Sequence, residues 1–382
     1  MNIAILVARL PPEGVGGAER QACQIAGRLA ATHSVHVFTR SSAIPPELAA
    51  KPHCRVSRRC HVDVPIVRFA ADILETLLHL GRARKQIDVI VAYQTVIDGL
   101  IAVVAKMLFG IPVIVAIRAD TEYRLDQFFQ SRLLSPFVFT RADFLAVQSP
   151  LLGTELVRAF ERAGRPPGPE ELRRKLFVLP NGITPVVPRQ GRGSGVLYIG
   201  RLSTTKGVDV LIAAMRHCLH EQLTIIGDGP ERATLEQSAS QLSNVRFLGR
   251  LPHARVQEYL AQARVLALAS HYEGQPNVLM EAMSLGVPIV ATRVGGVPDL
   301  IEDRETGVLT EPGDSLAIAR GIEKISTDES FSARLVANAL VAIRRHEWPI
   351  VLHTLEQQLA LLRAAQASGL NRGNFRPLSG SQ

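Results

Sequence analysis

Residues 264–291, RVLALASHYEGQPNVLMEAMSLGVPIVA, contain two apolar runs with a helix-forming segment between them. The runs at 264–269 and 288–291 are short and rich in aliphatic residues, which is typical of buried strands. Between them the sequence predicts a helix over residues 277–285, and Gly286 is suited to end it. This stretch therefore predicts a strand–helix–strand unit.

The same alternation of strand and helix signals runs along most of the chain. A stretch rich in Pro and Gly at 180–195 divides the signals into two series. The predicted strands are 2–8, 34–39, 88–93, 112–117, 144–148 and 176–179 in the first series, and 196–199, 222–226, 244–248, 264–269, 288–291 and 307–309 in the second. Each series predicts a doubly wound α/β sheet, so we expect two such domains joined near residue 188.

Length and composition agree with a soluble, two-domain protein. A chain of 382 residues exceeds what one hydrophobic core usually organises, and 47% apolar with 20% charged residues is ordinary for a soluble chain. The first residues lack the basic start and cleavage site of a signal peptide, and the uncharged apolar run at 107–117 is too short to span a bilayer. We therefore expect a cytoplasmic protein.

The four cysteines do not indicate disulfide or metal chemistry. They are Cys23, Cys54, Cys60 and Cys218. They lack a pairing framework and zinc-ligand spacing, so we interpret them as reduced, small apolar residues. A metal held by Cys54 and Cys60 is the weaker alternative.

Ligands of doubly wound sheets bind beyond the carboxyl ends of the strands, so the loops there are the candidate sites. After the first strand, Gly16 and Gly17 would let backbone N–H groups approach an anion at the start of a helix. The spacing is not that of the dinucleotide fingerprint, and a tight turn without a ligand would use the same glycines.

Two cations follow the first strand of the second series. Arg201 and Lys206 lie in IGRLSTTKG, just before a predicted helix. Arginine can grip two phosphate oxygens while lysine supplies a point charge, which together suit a diphosphate. The loop is not a Walker P-loop, so it does not imply Mg²⁺. Two solvated surface cations are the alternative interpretation.

Two carboxylates flank the start of the helix in EGQPNVLME. Glu273 precedes the helix and Glu281 lies inside it, so they could contact different parts of one long ligand. A carboxylate in the helix can accept hydrogen bonds from vicinal ribose hydroxyls, and one in the loop can bind hydroxyls of an attached group. The alternative is a pair of exposed acids that complement the helix dipole.

Several segments together resemble the retaining family 4 glycosyltransferases. In the order and spacing of that family, the chain carries GGAERQ, IGRLSTTKGVDVLI, IIGDGPER, VRFLGRL and EGQPNVLMEAMSLGVPIVATRVGGVPDLI. The resemblance implies the GT-B fold, in which two Rossmann-like domains face each other across a cleft. It implies an acceptor-binding domain at 1–187, a nucleotide-sugar-binding domain at 188–345 and a helix at 346–367 that crosses back to the first domain. The remaining residues, 368–382, are rich in Gly, Ser, Asn and Pro, which predicts a disordered tail.

The resemblance also implies residue roles. Glu281 would hold the ribose and Glu273 the donor sugar, while Arg201 and Lys206 would neutralise the leaving diphosphate. Gly17 would offer a backbone N–H to the diphosphate from the other domain. The remaining donor-binding positions would be Gly16, Gly227, Leu248, Gly274, Asn277 and Val278. No metal ion is expected, because these side chains would take over the charge stabilisation.

One position departs from the family pattern. Many members have His followed by Gly after the strand PVIVAI, whereas this chain has Arg118 and, two residues later, Asp120. We keep both as candidate contacts for the sugar or the acceptor.

The expected activity is transfer of a hexose from a nucleoside diphosphate sugar, with UDP as the expected nucleotide, to a cell-surface glycan or lipid-linked acceptor. A nucleotide-sugar epimerase and a non-catalytic nucleotide-sugar-binding subunit are the alternatives. Nucleic acid is not an expected partner, since the chain has no aromatic-rich RNA-binding motif.

Residues 1–185 hold most of the positive charge, with 23 Lys and Arg against 16 Asp and Glu. The apolar residues at 66–80 and 125–139 lie beside basic ones. We therefore also expect reversible attachment to the anionic inner face of the cell membrane.

Overall fold

The structure is a computed structural model that describes residues 1–13, 16–58 and 65–367. The chain forms two compact units. The first comprises Met1–Asn181 and the chain from Pro349 onward, and the second is Gly182–Trp348. The division falls a few residues before the predicted junction at 188. Cys60 and the predicted tail lie outside the described residues, so those expectations stay predictions.

The first unit is built on seven strands, and helices connect them. The strands are β1 (Asn2–Val7), β2 (Ser34–Thr39), β3 (Cys54–Arg58), β4 (Val89–Tyr93), β5 (Val113–Ala116), β6 (Phe144–Val147) and β7 (Leu176–Val178). The helices are α1 (Gly17–Leu29), α2 (Pro46–Ala49), α3 (Pro65–Ala83), α4 (Leu100–Phe109), α5 (Phe129–Arg141), α6 (Pro150–Ala163) and α7 (Pro169–Lys175). Short helical turns lie at Arg84–Gln86, Thr95–Gly99 and Asp120–Glu122. The strands form one parallel sheet in the order β3-β2-β1-β4-β5-β6-β7.

The second unit repeats the plan with six strands. They are β8 (Ser194–Ile199), β9 (Leu223–Ile226), β10 (Val245–Gly249), β11 (Ala263–Leu268), β12 (Ile289–Thr292) and β13 (Val308–Thr310). The helices are α8 (Val208–Met215), α9 (Arg232–Ser238), α10 (His253–Gln262), α11 (Asn277–Leu285), α12 (Val297–Leu300), α13 (Ser315–Thr327) and α14 (Glu329–Ala342), with short turns at Thr204–Lys206 and Ile343–His346. The sheet is parallel, in the order β10-β9-β8-β11-β12-β13.

The last helix, α15 (Trp348–Ala367), begins at the final residue of the second unit, and the rest of it belongs to the first unit. Within the first unit, Glu356 of α15 accepts a hydrogen bond from Thr32, just after α1, at 3.5 Å.

Each sheet has one point where the strand order reverses. In the first sheet β1 lies between β2 and β4, and in the second β8 lies between β9 and β11. The helices that follow these strands leave toward opposite faces, which opens a crevice at the carboxyl ends of the strands. The loops after β1 and β4, and those after β8 and β11, are therefore the places where a ligand is expected.

The sheets are buried because helices cover both of their faces. Every residue of β4 (VIVAY) and of β5 (VIVA) is buried, as is every residue of β12 (IVAT). Such unbroken apolar strands are typical of parallel sheets. Of the helices in the described part of the chain, none is both long enough and apolar enough to cross a bilayer.

The strands found in the structure agree with the predicted ones to within two residues at each end, apart from β3. This edge strand was missed because its sequence, CRVSR, places one aliphatic residue between polar ones. Helix α11 spans the predicted residues and ends at Gly286, which adopts the left-handed conformation with φ of 70°.

Candidate functional site

Lys206 and Glu273 form an ion pair in the second unit. Lys206 lies in the turn between β8 and α8, and Glu273 lies in the loop between β11 and α11. Lys206 Nζ is 2.7 Å from Glu273 Oε1. The Glu273 side chain is 10% exposed and that of Lys206 is 27% exposed. The pair therefore stands at the carboxyl ends of the two strands that flank the reversal point of this sheet.

Glycines allow the strand-end loops to approach one another closely. A Cβ atom on Gly207 would lie 2.1 Å from the carbonyl oxygen of Ala269, and one on Gly295 would lie 1.8 Å from that of Glu273. Both glycines also have positive φ, of 56° and 50°. Any side chain at either position would separate the loops, so these glycines bring Lys206 and Glu273 within contact.

Glu273 is held through both its backbone and its side chain. Its carbonyl accepts a hydrogen bond from the N–H of Gly296 at 3.2 Å. Its Oε1 also accepts from Ser270 Oγ at 2.7 Å, and Ser270 is fully buried. Thr292 at the end of β12 donates to the Ser270 carbonyl at 2.5 Å. The neighbouring strand therefore supports the loop that carries Glu273.

Glu281 lies inside α11, as its sequence position predicts. Gln257 of α10 donates from Nε2 to Glu281 Oε2 at 2.6 Å, which orients the carboxylate. The other donor-site candidates of this segment, Gly274, Asn277 and Val278, lie just before or at the start of the helix and are partly exposed. They share the loop and first turn that connect Glu273 to Glu281.

Arg201, Gly227 and Leu248 occupy the ends of three adjacent strands. Arg201 is exposed in the loop after β8, and its carbonyl accepts a hydrogen bond from the buried Tyr198 hydroxyl at 3.1 Å. Burial, and secondarily the charge of Glu273, raise the pKa of Tyr198. Gly227 follows β9, and Leu248 lies in β10 and is partly exposed. These positions therefore line the same edge of the second sheet as Lys206.

In the first unit, Arg118 is buried at the end of β5. Its Nη1 donates to the Leu179 carbonyl and to Asn181 Oδ1, both at 3.3 Å, and its guanidinium carbon lies 5.1 Å from the centre of the Tyr93 ring. Burial lowers the pKa of Arg118. Its Nε and Nη2 have no hydrogen-bond partner within the described residues. Asp120 lies in the short turn that follows.

Glu122, in the same turn as Asp120, was not identified from the sequence. Its Oε2 accepts from the backbone N–H and the hydroxyl of Thr95, both at 2.6 Å, and its Oε1 accepts from the N–H groups of Arg118 and Ala119 at 2.7 and 2.9 Å. Burial raises the pKa of Glu122, and these hydrogen bonds oppose the shift. The carboxylate thus connects the loops that follow β4 and β5.

Gly16 and Gly17 lie at the start of α1, with Gly16 in an extended conformation before the first helical turn. A Cβ on Gly16 would lie 2.2 Å from Glu19 Oε2. The carboxylate of Glu19 therefore stands beside the helix terminus where the sequence predicts an anion.

The structure thus brings Lys206 and Glu273 into direct contact and places the other donor-site candidates of the second unit on the same edge of its sheet. Residues missed by sequence reasoning are Ser270, Gln257, Thr292 and Glu122. Ser270 carried a usable signal, since it is a polar residue directly after a buried strand. Among residues 1–13, 16–58 and 65–367, no three His, Cys, Asp or Glu side chains come together as metal ligands would.

Two family models match the chain. The Glycosyl transferase 4-like domain matches residues 16–168, and Glycosyl transferases group 1 matches residues 187–341. The chain belongs to the group 1 glycosyltransferases. Its two parallel sheets with flanking helices are the Rossmann-like domains of the GT-B fold.

Two curated relatives are 35% identical to this glycosyltransferase over part of its length. The 2-deoxystreptamine N-acetyl-D-glucosaminyltransferase of Niallia circulans matches over 147 residues, which are 37% of this chain and 38% of the relative. The GalNAc-alpha-(1->4)-GalNAc-alpha-(1->3)-diNAcBac-PP-undecaprenol alpha-1,4-N-acetyl-D-galactosaminyltransferase of Campylobacter jejuni matches over 174 residues, which are 44% of this chain and 47% of the relative. The matches therefore span less than half of each relative.

The glycosyltransferase is also similar to a solved structure over nearly its whole length. Anabaena HepE, determined in complex with UDP-glucose, superposes with a TM-score of 0.74 at 23% identity. The superposition covers 97% of this chain and 100% of HepE. At this identity the likeness concerns the fold.

Proposed function

We propose that the protein is a retaining hexosyltransferase that takes a sugar from a UDP-sugar and transfers it to a cell-surface glycan or lipid-linked acceptor. The observation that carries this proposal is the contact between Lys206 and Glu273 at the reversal point of the second sheet. A cation for phosphate and a carboxylate for sugar hydroxyls stand there side by side, as a nucleotide sugar requires.

The proposed donor extends along the edge of the second sheet. Its base would lie near Gly227 and Leu248, its ribose at Glu281, its diphosphate at Lys206 and Arg201, and its sugar at Glu273. Gln257 supports this assignment of Glu281, because its hydrogen bond orients the carboxylate without neutralising its charge. Gly274, Asn277 and Val278 would contact the donor from the loop and first turn of α11. Gly16 and Gly17, at the start of α1 in the first unit, stay predicted anion contacts.

The proposed reaction breaks the bond between the sugar C1 and the diphosphate oxygen and forms a bond from C1 to the acceptor oxygen on the same face. The acceptor's proton passes to the leaving phosphate. Lys206 and Arg201 would stabilise the negative charge that develops on the diphosphate, so the reaction is proposed to proceed without a metal ion. Activity that EDTA abolishes and Mn²⁺ restores would contradict this.

The choice of UDP and of the acceptor rests on similarity. Anabaena HepE was solved with UDP-glucose, and the name of the Campylobacter jejuni relative specifies a PP-undecaprenol acceptor. Arg118 and Asp120 are the proposed contacts for the sugar or acceptor in the first unit. Arg118 is buried, and two of its guanidinium nitrogens, Nε and Nη2, have no hydrogen-bond partner within the described residues.

We also propose that the first unit rests on an anionic membrane surface. Helix α3 packs against α4, and α4 packs against α5. Each carries an apolar side chain that is more than half exposed: Leu74 is 61% exposed, Met107 61% and Phe129 77%. Exposed basic residues accompany them, namely Arg82, Arg84, Lys85 and Arg132. Phe139, which belongs to the same sequence segment, is buried in the core instead.

A nucleotide-sugar screen tests the donor assignment. UDP-, GDP- and ADP-sugars are compared for thermal stabilisation of the protein and then for transfer, with product configuration determined by NMR. A UDP-sugar that stabilises the protein and yields a product of unchanged anomeric configuration is expected. Interconversion of the donor without transfer would favour an epimerase, and binding without turnover would favour a non-catalytic subunit.

Membrane attachment is tested separately, by co-sedimentation with vesicles of phosphatidylglycerol or of phosphatidylcholine at low and high salt. We expect binding that requires the anionic lipid and weakens with salt. Indifference to both would leave a soluble acceptor as the better proposal.

A further inference from the structure

One oxygen of Glu273 has two partners. Lys206 Nζ and Ser270 Oγ each lie 2.7 Å from Oε1. The second oxygen, Oε2, accepts no hydrogen bond from the part of the chain that the structure describes. Lys206 is also the proposed ligand of the diphosphate. Glu273 and the diphosphate would therefore bind the same ammonium group.

We propose that Glu273 competes with the diphosphate for Lys206, and that Ser270 is the positioning residue that holds Glu273 when Lys206 turns to the phosphate. This inference rests on the proposed function, because it assumes that a nucleoside diphosphate binds at Lys206.

The two partners of Glu273 differ in their freedom to move. Lys206 reaches Glu273 through a flexible four-carbon chain that is 27% exposed, so its ammonium group can rotate toward a ligand. Ser270 is fully buried, and its carbonyl is held by Thr292 at 2.5 Å. The backbone of Glu273 is fixed as well, through the Gly296 N–H. Lys206 is therefore the partner that can leave, and Ser270 is the partner that stays.

The competition would discriminate between substrate and product. The hydroxyls of a bound UDP-sugar can donate hydrogen bonds to Glu273, and these bonds replace its contact with Lys206. Free UDP has no sugar hydroxyls to donate. Its binding to Lys206 therefore breaks the ion pair with Glu273 and puts nothing in its place, which weakens the binding of UDP. After transfer, Glu273 would recover Lys206 and favour departure of the UDP.

The first test is the binding of free nucleoside diphosphate by calorimetry, with UDP, GDP and ADP as probes. Glu273→Gln keeps the size of the side chain and removes its charge, which frees Lys206. We expect the variant to bind the preferred diphosphate about fivefold more tightly than wild type, as the loss of a partly exposed competing ion pair allows. Equal or weaker binding would overturn the competition.

The second test separates positioning from folding. Ser270→Ala should lower turnover at saturating donor about tenfold, because Glu273 loses its fixed partner, and should leave diphosphate binding within about twofold. Ser284→Ala in α11 is the matched control, since Ser284 is also buried and its hydroxyl is not a donor to Glu273. Unchanged turnover in Ser270→Ala, or an equal loss in the control, would overturn the role of Ser270.

These outcomes are distinct from failure of the proposed function. A wild-type protein that binds neither a nucleoside diphosphate nor a nucleotide sugar would contradict the proposed function, and the inference with it. A wild-type protein that transfers sugar while its Glu273→Gln variant binds diphosphate less tightly would contradict the inference alone.

Discussion

Two carboxylates at the strand ends of the two units are buried to a similar degree and have different kinds of partner. Counted over the whole residue, backbone included, Glu122 is 4% exposed and Glu273 is 8% exposed. Three backbone N–H groups and one hydroxyl donate to Glu122, and none of these backbone donors can leave without the loops moving. Glu273 accepts from Ser270 and from the mobile side chain of Lys206. The two carboxylates are thus alike in burial, and what distinguishes the proposed ligand-binding Glu273 from Glu122 is the freedom of its partners to move.

The largest expected effect is on stability, from Glu122→Ala. The substitution leaves four donors from Thr95, Arg118 and Ala119 without their acceptor in a buried place. At roughly 1 kcal/mol or more for each, we expect the first unit to lose about 4 kcal/mol of unfolding free energy. Urea denaturation measures it, with the exposed Glu161→Ala as a control that should change it by less than about 0.5 kcal/mol.

The UDP affinity of the same variant also tests the contrast between Glu122 and Glu273. Because every acceptor interaction of Glu122 is with its own unit's loops and none is with a proposed UDP contact, the folded fraction of Glu122→Ala should bind UDP as wild type does. A loss of UDP affinity without a loss of stability would show that Glu122 is a ligand contact, and the contrast with Glu273 would fail.

Only one of these two carboxylates, Glu273, was predicted as a site residue from the sequence. Glu273 follows a buried strand inside a recognisable strand–helix unit, so its location could be predicted. Its contact with Lys206 could not, because the residues are 67 positions apart and meet only when β11 pairs with β8. Glu122 gave no signal, since three of its four donors are backbone N–H groups and Thr95 lies 27 positions away. Hydrogen bonds to the backbone leave no residue pattern in the partner segment.

Lys206→Met should have the next largest effect, and on catalysis. The substitution keeps much of the side chain's volume and removes the charge proposed to stabilise the leaving diphosphate. We expect turnover to fall about 10²-fold or more. The melting temperature should change little, because the ion pair is partly exposed.

The control for this variant is Lys324→Met, which removes an exposed lysine of α13 that forms an ion pair with Asp328, just after the helix. It should leave turnover unchanged. If Lys206→Met lowered stability as strongly as Glu122→Ala while preserving turnover, the ion pair would be structural and the two units would not differ in the way proposed.

Glu281→Ala should act on nucleotide affinity. The substitution removes the carboxylate that is proposed to accept hydrogen bonds from the ribose hydroxyls. We therefore expect UDP to bind about tenfold more weakly in calorimetry. Turnover at saturating UDP-sugar should stay within about threefold of wild type, because the reacting bond is at the other end of the donor. A turnover defect with normal UDP binding would mean that the roles of Glu281 and Glu273 are exchanged.

The smallest effect is expected from Gln257→Ala, which tests whether an orienting amide matters as much as the carboxylate it contacts. Gln257 reaches Glu281 Oε2 at 2.6 Å, so its removal leaves Glu281 charged and less well oriented. We expect UDP to bind about threefold more weakly, near the energy of one neutral-donor hydrogen bond. In the Glu281→Ala background the same substitution should change UDP binding by less than about 1.5-fold, because an indirect contribution disappears with the residue that transmits it. A full threefold loss in both backgrounds would make Gln257 an independent ligand contact, and the site would then hold the nucleotide through an amide as well as through Glu281.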